Sequence, residues 1–166
     1  MNVRSPLLGI SLVVTAVVAS AGSASVVFID SERYTDAAHS HSFVASERDR
    51  AEVRLDIERH LQQLAERSLP VGDVLTVEVL DIDLAGYFQT SRLRNGYDVR
   101  IVRDIASPRL KLRYTLMHDD QLLDSAEEQL TDLGFLTRTN RYPVDDRLRY
   151  EKAMLDDWFH KRFGIR

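Results

Sequence analysis

From Leu110 to Leu116 the chain alternates apolar and polar residues: Leu110, Leu112, Tyr114 and Leu116 are separated by Lys111, Arg113 and Thr115. A period of two sends these sets to opposite faces of a strand, one covered and one wet. His118-Asp119-Asp120-Gln121 then reads as a hairpin turn, with a return strand from Leu122 to about Leu130. Tyr97, Val99 and Ile101 alternate with Asp98 and Arg100 in the same way, which predicts another half-buried strand. Val74 to Leu84 is longer and changes face. Leu75, Val77 and Val79 share one parity, whereas Leu80, Ile82 and Leu84 share the other. No continuous strand buries both sets against one layer, so a bulge or sharp twist is expected near Val79–Leu80. The short apolar run from Val26 to Ile29 reads as an interior strand.

Two segments have helical periods. Val53, Ile57, Leu61, Leu64, Ala65 and Ser68 recur at three- and four-residue steps, forming one apolar stripe. Ser46 can cap this helix, with Asp49 closing a capping box, and Pro70 and Gly72 end it. The last helix is expected from Asp145 or Asp146 to Phe163, with Tyr150, Met154, Leu155, Trp158 and Phe159 on its apolar side. Residues 31–45, 85–96 and 131–145 read as connectors, the last with a short turn at Asp132–Leu136. The order is β-α-β-β-β-β-α. It predicts an α+β two-layer sandwich, a largely antiparallel five-stranded sheet covered on one face by two helices.

The N-terminus has a different pattern. Arg4 is followed by an apolar stretch of thirteen residues, Leu7 to Ala19, and then by small residues from Ser20 to Ala24. This is the three-part layout of a secretory signal peptide over residues 1–24, leaving a single domain over 25–166. Two cleavage frames fit, Ala19-Ser20-Ala21 and Gly22-Ser23-Ala24. The absence of charge from Ser5 to Ile29 also makes an uncleaved anchor long enough to span, but Ser20–Ser25 is weakly hydrophobic. The expected address is the periplasm or the exterior, with no stable membrane span after cleavage.

Composition narrows the partners. The chain carries 22 basic and 26 acidic residues, and loss of residues 1–24 removes Arg4 and no acid. A net-acidic chain gains nothing overall from phosphate attraction, so nucleic acid is not an expected partner. With no cysteine, thiol catalysis, CxxC redox chemistry and cysteine-ligated zinc are excluded. At 166 residues the chain can bury a core without disulfides.

Four strings together resemble one known family: Phe28–Ala37 (FIDSERYTDA), Leu80–Gly86 (LDIDLAG), Pro108–Leu116 (PRLKLRYTL) and Leu148–Phe159 (LRYEKAMLDDWF). They are similar, in order, to the domain of unknown function 3016, a family of small exported proteins mostly from proteobacteria. The resemblance implies an envelope address and a single domain, and it brings no established activity, ligand or catalytic residue. The chain departs from the family pattern at His39–Phe43 and Ser91–Asp98.

The candidate chemistry is sparse. His39 and His41 form a His-x-His pair that suits zinc or copper, although Ala and Ser neighbours also suit a solvated loop. Asp81 and Asp83 could hold a cation or divide acid and base duties, or simply mark a wet strand face. Glu151 falls on the apolar side of the last helix, where a carboxylate needs a partner, most simply an arginine, or an upward pKa shift. Between Arg92 and Arg113 stand seven basic residues against Asp98 and Asp104. Arg100, Lys111 and Arg113 are expected on the wet sheet face, either docking an anionic envelope component or laddering with acids such as Glu78 and Glu127. No nucleophile elbow, Walker loop or HExxH string occurs, and no cofactor is expected. The leading expectation is a non-catalytic envelope protein that binds a partner or assists an assembly. The alternatives are a small hydrolase-like enzyme using carboxylates, or a metal-binding envelope protein.

Overall fold

The computed structural model describes residues 21–38, 47–89 and 99–164. Within them the elements run β1 (Ser23–Phe28), α1 (Glu47–Ser68), β2 (Asp73–Asp83), β3 (Tyr87–Gln89), β4 (Val99–Ile101), β5 (Arg109–His118), β6 (Gln121–Thr131) and α2 (Arg149–Phe163). The fold is α+β, as the alternating pattern implies. Four strands make one mixed sheet in the order β1-β2-β5-β6, with β1 parallel to β2 and the other pairs antiparallel.

Two expectations about the sheet are corrected. It has four strands and not five, because β3 and β4 pair only with each other. β2 is flanked by β1 and β5, and β5 by β2 and β6, so no interior slot is left for the Val99–Ile101 segment. Gly86 directs the chain away at φ 85°, and a Cβ there would stand 2.5 Å from the Ile101 carbonyl oxygen. The first strand lies at an edge and not in the interior. Ala24, Val26 and Phe28 pack against the core, while Ser23, Ser25 and Val27 are exposed.

The face change in β2 is resolved by a bulge. Val79 pairs with Leu112, but Asp81 pairs with Lys111, so Leu80 is the extra residue. That one insertion flips the parity, and Leu75, Val77, Val79 and Ile82 all reach the same core with 0% exposure. The β5–β6 turn has both central residues, Asp119 and Asp120, at positive φ (44° and 66°). This left-handed pair matches the right-handed twist of the flanking strands, and Asp tolerates it better than most residues.

Both helices cover the face that carries Leu110, Leu112 and Tyr114. α1 contributes Val53, Ile57, Leu61 and Ala65, and α2 contributes Met154, Leu155, Trp158 and Phe159. The proposed cap at Ser46 lies outside the described residues. α2 begins a turn later than the sequence suggested, since Asp146 Oδ1 instead accepts the Leu148 amide at 2.9 Å in the preceding turn. Among the described residues no helix is long and apolar enough to cross a membrane.

Trp158 is 5% exposed and meets Tyr114, Phe159 and Phe163 edge-on, with ring centroids 5.5–6.0 Å apart. Truncating such a side chain removes its burial and leaves a cavity. Trp158→Ala should therefore lower the unfolding free energy by about 3–5 kcal/mol in a urea titration. A midpoint equal to wild type would contradict the packing of α2 on the sheet.

Candidate binding cavity

Four chain segments meet where β2 ends. After β1, left-handed Asp30 (φ 49°) and a 3-10 turn carry the chain out, and it returns as a single parallel bridge between Asp36 and Asp83. The Asp36 amide donates to Ile82 O at 2.9 Å, and the Leu84 amide donates back to Asp36 O at 3.0 Å. The β3–β4 hairpin lies against this end, and the first turn of α2 closes it.

Arg100, on β4, ties these parts together. Its Nη2 donates to both Asp36 carboxylate oxygens at 2.7 and 2.8 Å and to Ala38 O at 2.8 Å. Nη1 lies 3.0 to 3.4 Å from the carbonyl oxygens of Leu84, Ala85 and Gly86. Its guanidinium carbon stacks 4.4 Å from the centroid of Phe88. With 11% side-chain exposure, Arg100 is not on the wet face where its alternation with Val99 and Ile101 put it. Among the described residues the three-residue strand that carries it pairs with β3 alone, and its polar side turns toward Asp36.

Glu151 sits beside this junction and is 1% exposed. Its Oε1 accepts the Ala85 amide at 2.7 Å, so its partner is a backbone N–H where the sequence suggested an arginine side chain. Burial pushes its carboxyl pKa up, against the opposing pull of the Ala85 amide and the Arg100 charge, and Asp146 adds to the rise. Glu151, Arg100, Ala85, Val102, Arg149 and Tyr150 line a cavity of about 330 Å³ with the segment 144–147. Among the described residues, Glu151 Oε2, Arg100 Nε and Arg149 Nε are buried without a hydrogen-bond partner, and all three belong to residues lining this cavity. Unpartnered buried polar atoms are rare enough in folded proteins to call for an explanation.

The other candidates lie elsewhere. Arg113 stands between Glu78 and Glu127 in register across three strands, donating to them at 2.7 and 2.9 Å, and Lys111 Nζ lies 2.8 Å from Glu127. Hydrogen bonds from Lys111 and Arg113 hold the Glu127 carboxyl below its usual range. Asp81 accepts the Thr35 amide and hydroxyl, both at 2.7 Å. Asp83 faces Arg109 at 3.6 Å, and its pKa is raised by burial, with Arg109 opposing. Neither Asp81 nor Asp83 lines the cavity. His39 and His41 lie outside the described residues, among which no cluster of three or more His, Cys, Asp or Glu could hold a metal.

One cluster was not anticipated. His60 of α1 places Nε2 2.9 Å from Asp156 Oδ1, while Tyr142 OH and Arg141 Nε donate to Asp156 Oδ2 at 2.5 and 2.8 Å. Burial works to raise the Asp156 pKa, but bonds from His60 and Tyr142 and the Arg141 charge bring it below the usual value. Both carboxylate oxygens are engaged, so Asp156 acts as a clamp between the helices and the connector. The sequence signal was His60 itself, a polar residue on the apolar stripe beside Ile57 and Leu61.

A family profile described as "Protein of unknown function (DUF3016)" matches residues 22–161. The chain belongs to this family. No curated protein matches it. The matched region contains the sheet, both helices almost entirely and every residue of the cavity. Three of the four strings that resemble the family meet at the junction, supplying Asp36, Leu84–Gly86 and Glu151.

Removing Arg100 would leave Asp36 and three carbonyls without its guanidinium. Breaking a largely buried charge pair from one side typically costs about 3–5 kcal/mol, and Arg100→Ala should lose a similar amount in chemical denaturation. Lys111→Gln, on the exposed ladder, should leave the denaturation midpoint within experimental error.

Proposed function

We propose that the chain is an exported envelope protein that acts as a non-catalytic binding module, with the cavity beside Glu151 as its ligand site. The observation that carries this reading is the set of unpartnered polar atoms on Glu151, Arg100 and Arg149 around one concavity. The pocket of about 330 Å³ has the size of a small-molecule site, and charged groups converge on it beside Ala85, Val102, Val144 and Tyr150. Its lining holds no serine, threonine, histidine or lysine, so covalent catalysis there would fall to a carboxylate or to Tyr150. Of the two aspartates lining the cavity, Asp146 is engaged by Lys152 Nζ at 2.7 Å, which leaves Asp145 as the partner that a paired-carboxylate hydrolase would use with Glu151.

Thermal unfolding against separate sets of simple carboxylates, phosphates, amines and sugars tests the reading. At least one class should raise Tm, and further at higher concentration, because a ligand that binds the folded state stabilises it. That compound should be recovered unchanged by mass spectrometry. Turnover of the compound, or no shift from any class, would overturn the proposal.

The export half of the proposal rests on the N-terminal pattern, and Gly22 distinguishes its two cleavage frames. This glycine is buried, and a Cβ there would lie 2.3 Å from Leu69 Cβ and 2.8 Å from Pro70 O. β1 starts at Ser23, paired with Val74. Cleavage after Ala24 would cut two residues from this strand, whereas cleavage after Ala21 leaves it whole and retains Gly22, where the family match begins. N-terminal sequencing of periplasmic protein should therefore return Gly22 as the first residue. A start at Ser25, or an intact Met1 in the membrane fraction, would reject this site.

A further inference from the structure

We infer that the ligand held in this cavity is an oxyanion, a carboxylate or phosphate group, and that it binds together with a proton carried by Glu151. The inference rests on the binding reading above and adds the chemistry of the ligand. Guanidinium N–H groups donate and never accept. Arg100 Nε and Arg149 Nε are buried donors with no acceptor among the described residues, so a ligand that satisfies them must bring oxygen lone pairs. An ammonium brings donors alone and would leave both unsatisfied.

Glu151 fixes the proton count. Its Oε1 already accepts the Ala85 amide, leaving Oε2 as the oxygen without a partner. As a carboxylate, Oε2 would repel an incoming anion; as a carboxylic acid, it donates to one. Burial favours the protonated form even before a ligand arrives.

The surrounding charges do not replace this role. Arg100 is paired with Asp36 from the bridge after β1. Asp146 and Lys152 pair across the start of α2, and Arg147 reaches Glu52 of α1 at 3.5 Å. Arg149 lies 5.3 Å from the centroid of Tyr150, and Asp145 is exposed on the rim. Arg149 is thus the cation of the lining best placed to complete an anion site.

The sign of the pH dependence follows. An anion that prefers protonated Glu151 raises the carboxyl pKa further, so affinity is greatest at low pH and declines as pH rises through the Glu151 titration. Acetate is the probe, and its own ionisation is subtracted by the same titration of Glu151→Gln, so that the remaining pH dependence belongs to Glu151. Calorimetric titration of the full mature chain should show acetate affinity falling with pH, approaching about tenfold per pH unit where one proton is linked. Repeating it in buffers of different ionisation enthalpy should show proton uptake.

Glu151→Gln keeps a donor at that position without a titration, so it should still bind acetate, with a pH profile set by the ionisation of acetate alone. Arg149→Met should weaken binding at every pH by tenfold or more, with its circular dichroism spectrum unchanged. Inorganic phosphate, titrated alone beside cosedimentation with phosphatidic acid vesicles, distinguishes a free ion from a lipid headgroup. A wild-type profile equal to that of Glu151→Gln, or unaltered binding in Arg149→Met, would overturn the oxyanion assignment. Binding of amines or sugars but no anion would overturn it as well and leave the binding module standing. Silence from every class would reject both.

Discussion

Where a strand leaves its sheet, its carbonyls lose their partners, and the interior can hold such groups only when another donor reaches them. Just past the end of β2, this is the situation of Leu84, Ala85 and Gly86. The donor is Arg100, whose guanidinium serves these carbonyls on one side and the Asp36 carboxylate on the other. It thereby joins the bridge after β1, the end of β2 and the β3–β4 hairpin in one charged knot. α2 meets the same place through the Ala85 amide and Glu151. The cavity exists because these segments are held at a junction, each already committed through part of its polar surface.

The same residue type behaves differently on the open sheet face. Arg113 also has two carboxylate neighbours, but its side chain is 52% exposed, and water competes for every charge in that ladder. Arg100, at 11% exposure, works where the surroundings screen little. The charge-rich stretch around these residues therefore contains two kinds of site. One is a solvated ladder across β2, β5 and β6, and the other a buried linchpin of the fold.

Much of this was legible in local pattern. The parity change across Val79 and Leu80 required an extra residue, and the bulge supplies it at Leu80. The β5–β6 hairpin fixed its own register, so Glu127 as a neighbour of Arg113 could be anticipated from chain order alone. The positions of Trp158 and Glu151 on the buried side of α2 followed from the helical period. What stayed hidden depended on contacts distant in sequence. Alternation around Arg100 signals a strand but not which sheet the strand joins. The partner of Glu151 is a backbone amide 66 positions earlier, and an amide carries no side-chain signature. His60 falls on the same stripe as Ile57 and Leu61 without being singled out there, and its partner Asp156 lies 96 residues away.

Gly22 would impose an order of events on a chain processed as proposed. A peptidase has to grip the residues around its cut in an extended, accessible form. Gly22 wedged against Leu69 and Pro70, with Ser23 already paired to Val74, offers neither access nor slack. If the chain is cut at the proposed Ala21–Gly22 bond, that scission belongs before β1 settles at the edge of the sheet. The strand made first would be among the last to dock, and its docking would put the severed bond beyond the peptidase's reach.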